Sequence, residues 1–284
     1  MINMGFRLGH RKPLFLLLLV CVVPFSMNAQ TVATNEYWDD VDFNDTILIS
    51  SNVLKDKMIG FLYETACIDE VHFDSLSMAS LNVIFGRAKA NMKAYEYVLE
   101  LALNGYTNMG RSAVVDYLLN YPQLSEGEIT MAEGLRLDSI TEPFQKVRVG
   151  AKAPDFSGLT IDGKSFSIYG SSAQRTILVF WSTDCEYCHD FLAQIRKHLD
   201  LKSDYELVTF ALADNQEEVS QSVKKMRLSG YHFYDEKRWD GKAFLEYHVT
   251  STPTVFVLDA EKNIVCKPYD WQELRDWIRN SKQK

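Results

Sequence analysis

The chain is short of the residues that mark several classes of protein. Five cysteines in 284 residues are too few for a small scaffold built on disulfides. With only 14 glycines and 7 prolines, collagen-like and low-complexity chains are excluded as well. Positive charge is scarce: 30 Lys and Arg stand against 38 Asp and Glu, a formal net charge of −8. Such a surface repels phosphate backbones, which argues against nucleic acid as a partner. A bilayer needs about twenty apolar residues per crossing, and the run from Leu14 to Val23 is half that, so a polytopic membrane protein is excluded. There is no second Cys-x-x-Cys and no histidine pair, so no metal site is expected. What is present is apolar substance, 46% hydrophobic and 12% aromatic, enough for a core in each of two domains.

Arg7, His10, Arg11 and Lys12 precede the apolar run, and Pro24 ends it before Ser26-Met27-Asn28-Ala29. This order is that of a secretory signal peptide, with cleavage expected after Ala29. Lipidation at Cys21 and a retained anchor are the competing readings. Export to the periplasm or cell envelope would place Cys67, Cys185, Cys188 and Cys266 where disulfides persist.

The remaining chain divides near residue 149. Across 30–148, apolar residues recur at three and four positions, as in Met58, Phe61, Leu62 and Ala66, or Tyr95, Val98, Leu99 and Ala102. This period predicts an all-α domain of four or five amphipathic helices. Asn104-Gly105, Met109-Gly110 and Tyr121-Pro122 are the expected breaks, with Asp74 and Asn91 as N-caps. From 149 to 284 strands and helices alternate, an α/β pattern. Strands are expected at Thr176–Trp181, Glu206–Ala213, Thr254–Leu258 and Asn263–Lys267, and helices at Phe191–Leu201, Glu217–Leu228 and Trp271–Asn280. Asp162-Gly163 fits a hairpin turn between short strands near 156–160 and 164–168.

Chemistry concentrates at Cys185-Glu186-Tyr187-Cys188, between the apolar strand and the helix after it. Two cysteines at this spacing can close a disulfide, and a helix start favours a thiolate on the first. Cys185 is thus the candidate nucleophile and Cys188 the resolving partner. Trp181, ending the strand, is a candidate for shaping the substrate face, with a core position as the competing reading.

These pieces resemble one family. Val149-Gly150-Ala151-Lys152-Ala153-Pro154-Asp155-Phe156, Asp162-Gly163-Lys164, Phe180 through Cys188, and Ser251-Thr252-Pro253-Thr254 through Asp259 are similar to the exported thioredoxin-like thiol–disulfide oxidoreductases of the TlpA/ResA type. The resemblance implies a thioredoxin fold over 149–284, behind the helical domain. It implies exchange without a cofactor, disulfide-containing exported proteins as substrates and a membrane thiol donor. By the same resemblance Pro253 is a cis-proline facing the cysteines, and Thr252 beside it helps hold an extended substrate. Asp184 departs from the family, where Trp is usual, and Val179 replaces a buried acid. Asp184, Glu186 and Tyr187 therefore tune the site in this reading. Two carboxylates beside Cys185 would raise its thiol pKa and favour a reductase or isomerase. The segment from Tyr37 to Asp45 is similar to helical modules of unknown role in exported bacterial proteins, for which partner recognition or dimerisation is expected.

Other readings compete for the same residues. His189 completes Cys-x-x-Cys-His, the attachment pattern of a c-type haem. A binding module with a purely structural disulfide is the alternative of a different class. Cys67 and Cys266 are candidates for a bridge between the two halves.

Overall fold

A computed structural model describes residues 35–45, 47, 51–68, 72–120, 129–199 and 205–281. The expected signal segment, Cys21 and the Tyr121-Pro122 break lie outside these residues. Helices come first: α1 (Asn52–Ile68), α2 (Phe73–Ala88), α3 (Met92–Asn108), α4 (Ser112–Leu119) and α5 (Met131–Lys146). Their apolar faces close on one core, in which Met58, Phe61, Leu81, Phe85, Tyr95, Val98 and Val114 are buried. Trp38 and Phe43, from the segment before α1, are buried in the same core.

The helix ends follow local chemistry. Asn91 caps α3, its side chain accepting from the Lys93 amide. Asp74 is not a cap. The N-cap of α2 is His72, whose side chain makes no capping hydrogen bond, and Asp74 sits in the first turn, where its charge suits the helix dipole. Asn104-Gly105 is not a break either, since α3 runs through it to Asn108. A Cβ on Gly105 would collide with the Leu62 side chain of α1, so the glycine there serves close helix packing.

The second half is built on a five-stranded sheet. Its strands are β3 (Thr176–Ser182), β4 (Glu206–Leu212), β5 (Tyr231–Tyr234), β6 (Thr254–Leu258) and β7 (Ile264–Cys266), in the order β5-β4-β3-β6-β7. β3, β4 and β5 are parallel, while β6 and β7 run antiparallel to their neighbours. The hairpin of β1 (Ser157–Leu159) and β2 (Ser165–Ser167) stands apart, and Gly163 takes φ +80° in its turn, as glycine readily does. The connecting helices are α6 (Glu186–His198), α7 (Gln216–Met226), α8 (Lys242–Glu246) and α9 (Trp271–Ser281).

β3 is buried on both faces, which is why it reads as a continuous apolar run. Ile177, Val179 and Trp181 share a cluster with Phe191 and Leu192 of α6 and Leu274 of α9. Leu178 and Phe180 belong to the opposite face with Phe166, Phe244 and Tyr247.

One polar pair is closed inside the sheet. The Thr209 hydroxyl and His232 Nδ1 are 2.9 Å apart, and burial lowers the His232 pKa to about 4. An unfolded histidine protonates near pH 6.5, so between about 6.5 and 4 the unfolded chain holds a proton that the folded one does not. Stability contributed by neutral His232 is fully present above pH 6.5 and is lost as pH falls through 4, by about 3 kcal/mol at most. Urea titrations at pH 7 and pH 4.5 should show this loss for the native chain and a smaller one for His232→Phe. An equal loss in both would assign the effect to other groups.

Candidate redox site

β3 delivers the chain to the site. After Ser182, the Thr183 amide donates to the Leu212 carbonyl of β4 at 3.0 Å, and the Cys185 amide to the Ser182 carbonyl at 3.2 Å. The turn ends with Cys185 as the N-cap of α6. Its sulfur takes the place of a capping oxygen and accepts from the Cys188 amide at 3.1 Å. A negative charge at this position is stabilised by the helix dipole and by that amide.

Cys185 and Cys188 form a disulfide with their Cα atoms 5.2 Å apart. They are unequal in access. Cys188 is fully buried, whereas Cys185 is partly exposed at the molecular surface. Asp184, Glu186 and Tyr187 are exposed around it. The Tyr187 phenol has a raised pKa, first through partial burial and then through Asp270, Tyr269 and Glu273. An aromatic and acidic rim therefore surrounds the accessible sulfur.

Opposite stands the loop before β6. The Thr252–Pro253 peptide bond is cis, and the Thr252 carbonyl oxygen lies 3.9 Å from the Cys185 sulfur. The loop is held by a bond from the Thr254 hydroxyl to the Ser251 carbonyl at 2.7 Å. Asn108, at the end of α3, adds a support from the helical half. Its side-chain oxygen accepts from the Thr250 hydroxyl at 3.0 Å and the Ser251 hydroxyl at 3.4 Å. Asn108 was not legible in the sequence, because it is 142 residues away from its partner.

Trp181 requires a correction as a surface contact. It is fully buried beneath the disulfide, in the same cluster as Cys188, with its ring 5.7 Å from that of His189. A side chain with no exposed area has nothing to present to a substrate, so its part is packing. Val179 is buried in this cluster too. Cys266 carries a free thiol whose pKa is pushed up to about 12, by burial and then by Glu273. The Cys67 side chain, its expected partner in a bridge, lies outside the described side chains. The 185–188 disulfide also engages both sulfurs that haem attachment would need.

Residues 149–267 match the AhpC/TSA family. The sporulation thiol-disulfide oxidoreductase A of Bacillus subtilis is 32% identical over 127 residues, spanning 42% of this chain and 74% of the relative. The chain belongs to the thioredoxin-like thiol–disulfide oxidoreductases. A second relative in this family, the thioredoxin-like protein YneN of Bacillus subtilis, is 29% identical over 122 residues, covering 42% of this chain and 69% of its own. A solved thioredoxin-like protein from Bacteroides caccae shares the fold across both halves. The two superpose with a TM-score of 0.55 at 18% identity, covering 98% of this chain and 99% of the other.

Proposed function

We propose that this oxidoreductase reduces or isomerises disulfides in exported polypeptides, with Cys185 attacking and Cys188 resolving. The observation that carries the reading is the difference in access, with a partly exposed cysteine at the helix cap and a fully buried one a turn further on. In the reduced enzyme the Cys185 thiolate attacks a substrate disulfide. One sulfur leaves as a thiolate, and a mixed disulfide remains. The Cys188 thiolate then attacks Cys185, closing the 185–188 bond and releasing the second substrate thiolate. Two electrons have passed to the substrate, and a membrane thiol donor returns them. Pro253 and Thr252 hold the extended substrate against Cys185 by backbone hydrogen bonds.

The direction of flow rests on the rim. Asp184 and Glu186 disfavour the Cys185 thiolate, which weakens the stabilisation of the reduced form and makes the couple more reducing. Export is supported by the basic and apolar order of the first 29 residues. Among the described residues no helix is long and apolar enough to cross a membrane.

The test is the reduction potential of the pair, titrated in defined thiol buffers and read by the mass added on alkylation. A value of about −250 mV or lower is expected, and one near about −120 mV would reverse the proposed direction. The double variant Asp184→Asn, Glu186→Gln should raise the potential by about 30 mV, roughly one tenfold step in the exchange constant for each 30 mV. An unchanged value would leave the carboxylates as solvated charge alone.

A further inference from the structure

A cleft of about 80 Å³ lies between the helical half and the sheet, next to Pro253. The two halves approach closely at its rim. Gly110, with φ +69°, lies so near Tyr269 that a Cβ would collide with that ring. The cleft opens along a bare strand edge, because β7 pairs with β6 only at Val257 and Leu258. From the end of β7 the chain carries Lys267 into the lining.

Lys267 is the unusual group. Its ammonium stands 5.2 Å over the Phe256 ring, and among the described residues nothing hydrogen-bonds or ion-pairs with it. Burial lowers its pKa to about 8, against a smaller opposing effect from Asp116 of α4. Lys267 is itself half-buried, and two other polar atoms of the lining, the Thr107 hydroxyl and His248 Nε2, are fully buried without partners. Unpartnered polar groups and cations are costly inside a protein unless a ligand satisfies them. The charged residues of the lining are Lys267, Arg148 after α5 and Asp116, which leaves a positive balance, and the pKa of His248 beside them is lowered by burial and then by Lys267.

The cleft shares Pro253 with the loop that faces the redox site, and the carbonyl of its neighbour Thr252 lies 3.9 Å from the Cys185 sulfur. A polypeptide lying along this loop to present a disulfide to Cys185 extends into the cleft. We propose that the cleft takes an acidic side chain of the substrate polypeptide, its carboxylate seated on Lys267, a few residues from the cysteine under attack. The inference rests on the reading of polypeptide disulfides as substrates. It makes the helical half one wall of the substrate site, through Thr107 and Asn108.

The test uses the mature chain and two disulfide peptides identical except for Glu or Gln two or three residues from a cysteine. The wild-type enzyme should favour the Glu peptide about tenfold in kcat/KM, the difference appearing in KM, as one charged hydrogen bond gives. Lys267→Met should bring the ratio to about one, and Lys267→Arg should keep most of it. A ratio cancels any common loss of chemistry, so a merely structural role for Lys267 would slow both peptides and leave the preference intact. That result, or a wild-type ratio of one, overturns the proposal, and the wild-type ratio decides even where the Met variant does not fold. Bis(2-hydroxyethyl) disulfide separates the underlying reading. A wild-type enzyme that reduces it but neither peptide would remove polypeptides as substrates altogether.

Discussion

Cys188→Ser is expected to arrest the reaction halfway and leave the substrate covalently attached to Cys185. Attack needs only the partly exposed Cys185 at the cap of α6, which this variant retains. Release needs a second thiolate from the buried position, which it lacks. Intact mass measurement should show the reduced variant gaining the mass of one substrate chain, less the atoms of the departing half. Cys185→Ser should show no adduct and only background turnover, since Cys188 is closed off from substrate. Both variants lose the same disulfide, so its effect on stability is common to them and cannot explain a difference in trapping. An adduct on Cys185→Ser instead would reverse the roles of the two cysteines.

The second large effect belongs to the fold. Phe180→Ala should cost about 3–5 kcal/mol, the range for removing a fully buried aromatic ring. Phe180 lies at the centre of β3, stacked on Phe210 at 5.1 Å, with Phe244, Tyr247 and Phe256 around it at 5.1, 5.3 and 6.1 Å. The loss should appear in urea unfolding as an earlier transition of the sheet, whose core is separate from that of the helices. Leu159→Ala provides the contrast, because this side chain is 70% exposed and its loss should stay within about 0.5 kcal/mol. A Phe180→Ala effect below about 1 kcal/mol would mean that the aromatic cluster repacks.

The parts of this molecule that were legible in the sequence are those whose signal is local. β3 and β6 are single apolar runs, and the cysteine pair between strand and helix carries its meaning in four adjacent residues. The start of α6 was read late, at Phe191, because polar residues precede it and a sulfur cap is not among the usual cap signals. β5 escaped notice because Tyr231–Tyr234 is four residues long and gains its place from pairing with β4. α8 has five residues, too few for a helical period to show. The break expected at Gly105 misread a helical residue that packs closely against Leu62 of α1. Asn108 and Lys267 had no sequence signal at all. Each acquires its surroundings only when distant segments meet, and a lone Lys or Asn in a sequence resembles any surface residue.

The order of strands bears on how the site comes into being. β3 carries the cysteines, yet its neighbour β6 comes from residues 254–258. During synthesis from the N-terminus, the helical half and the cysteine pair are therefore complete well before the strand that fences one side of them. Until β6 docks, Cys185 lacks the Thr252 carbonyl opposite it and the sheet lacks a central member. A nascent chain paused before residue 254 would expose both sulfurs to any oxidant it meets. Protection of the pair thus arrives late in biogenesis, and chains that end between the cysteine pair and residue 254 should be the most open to wrong cross-linking.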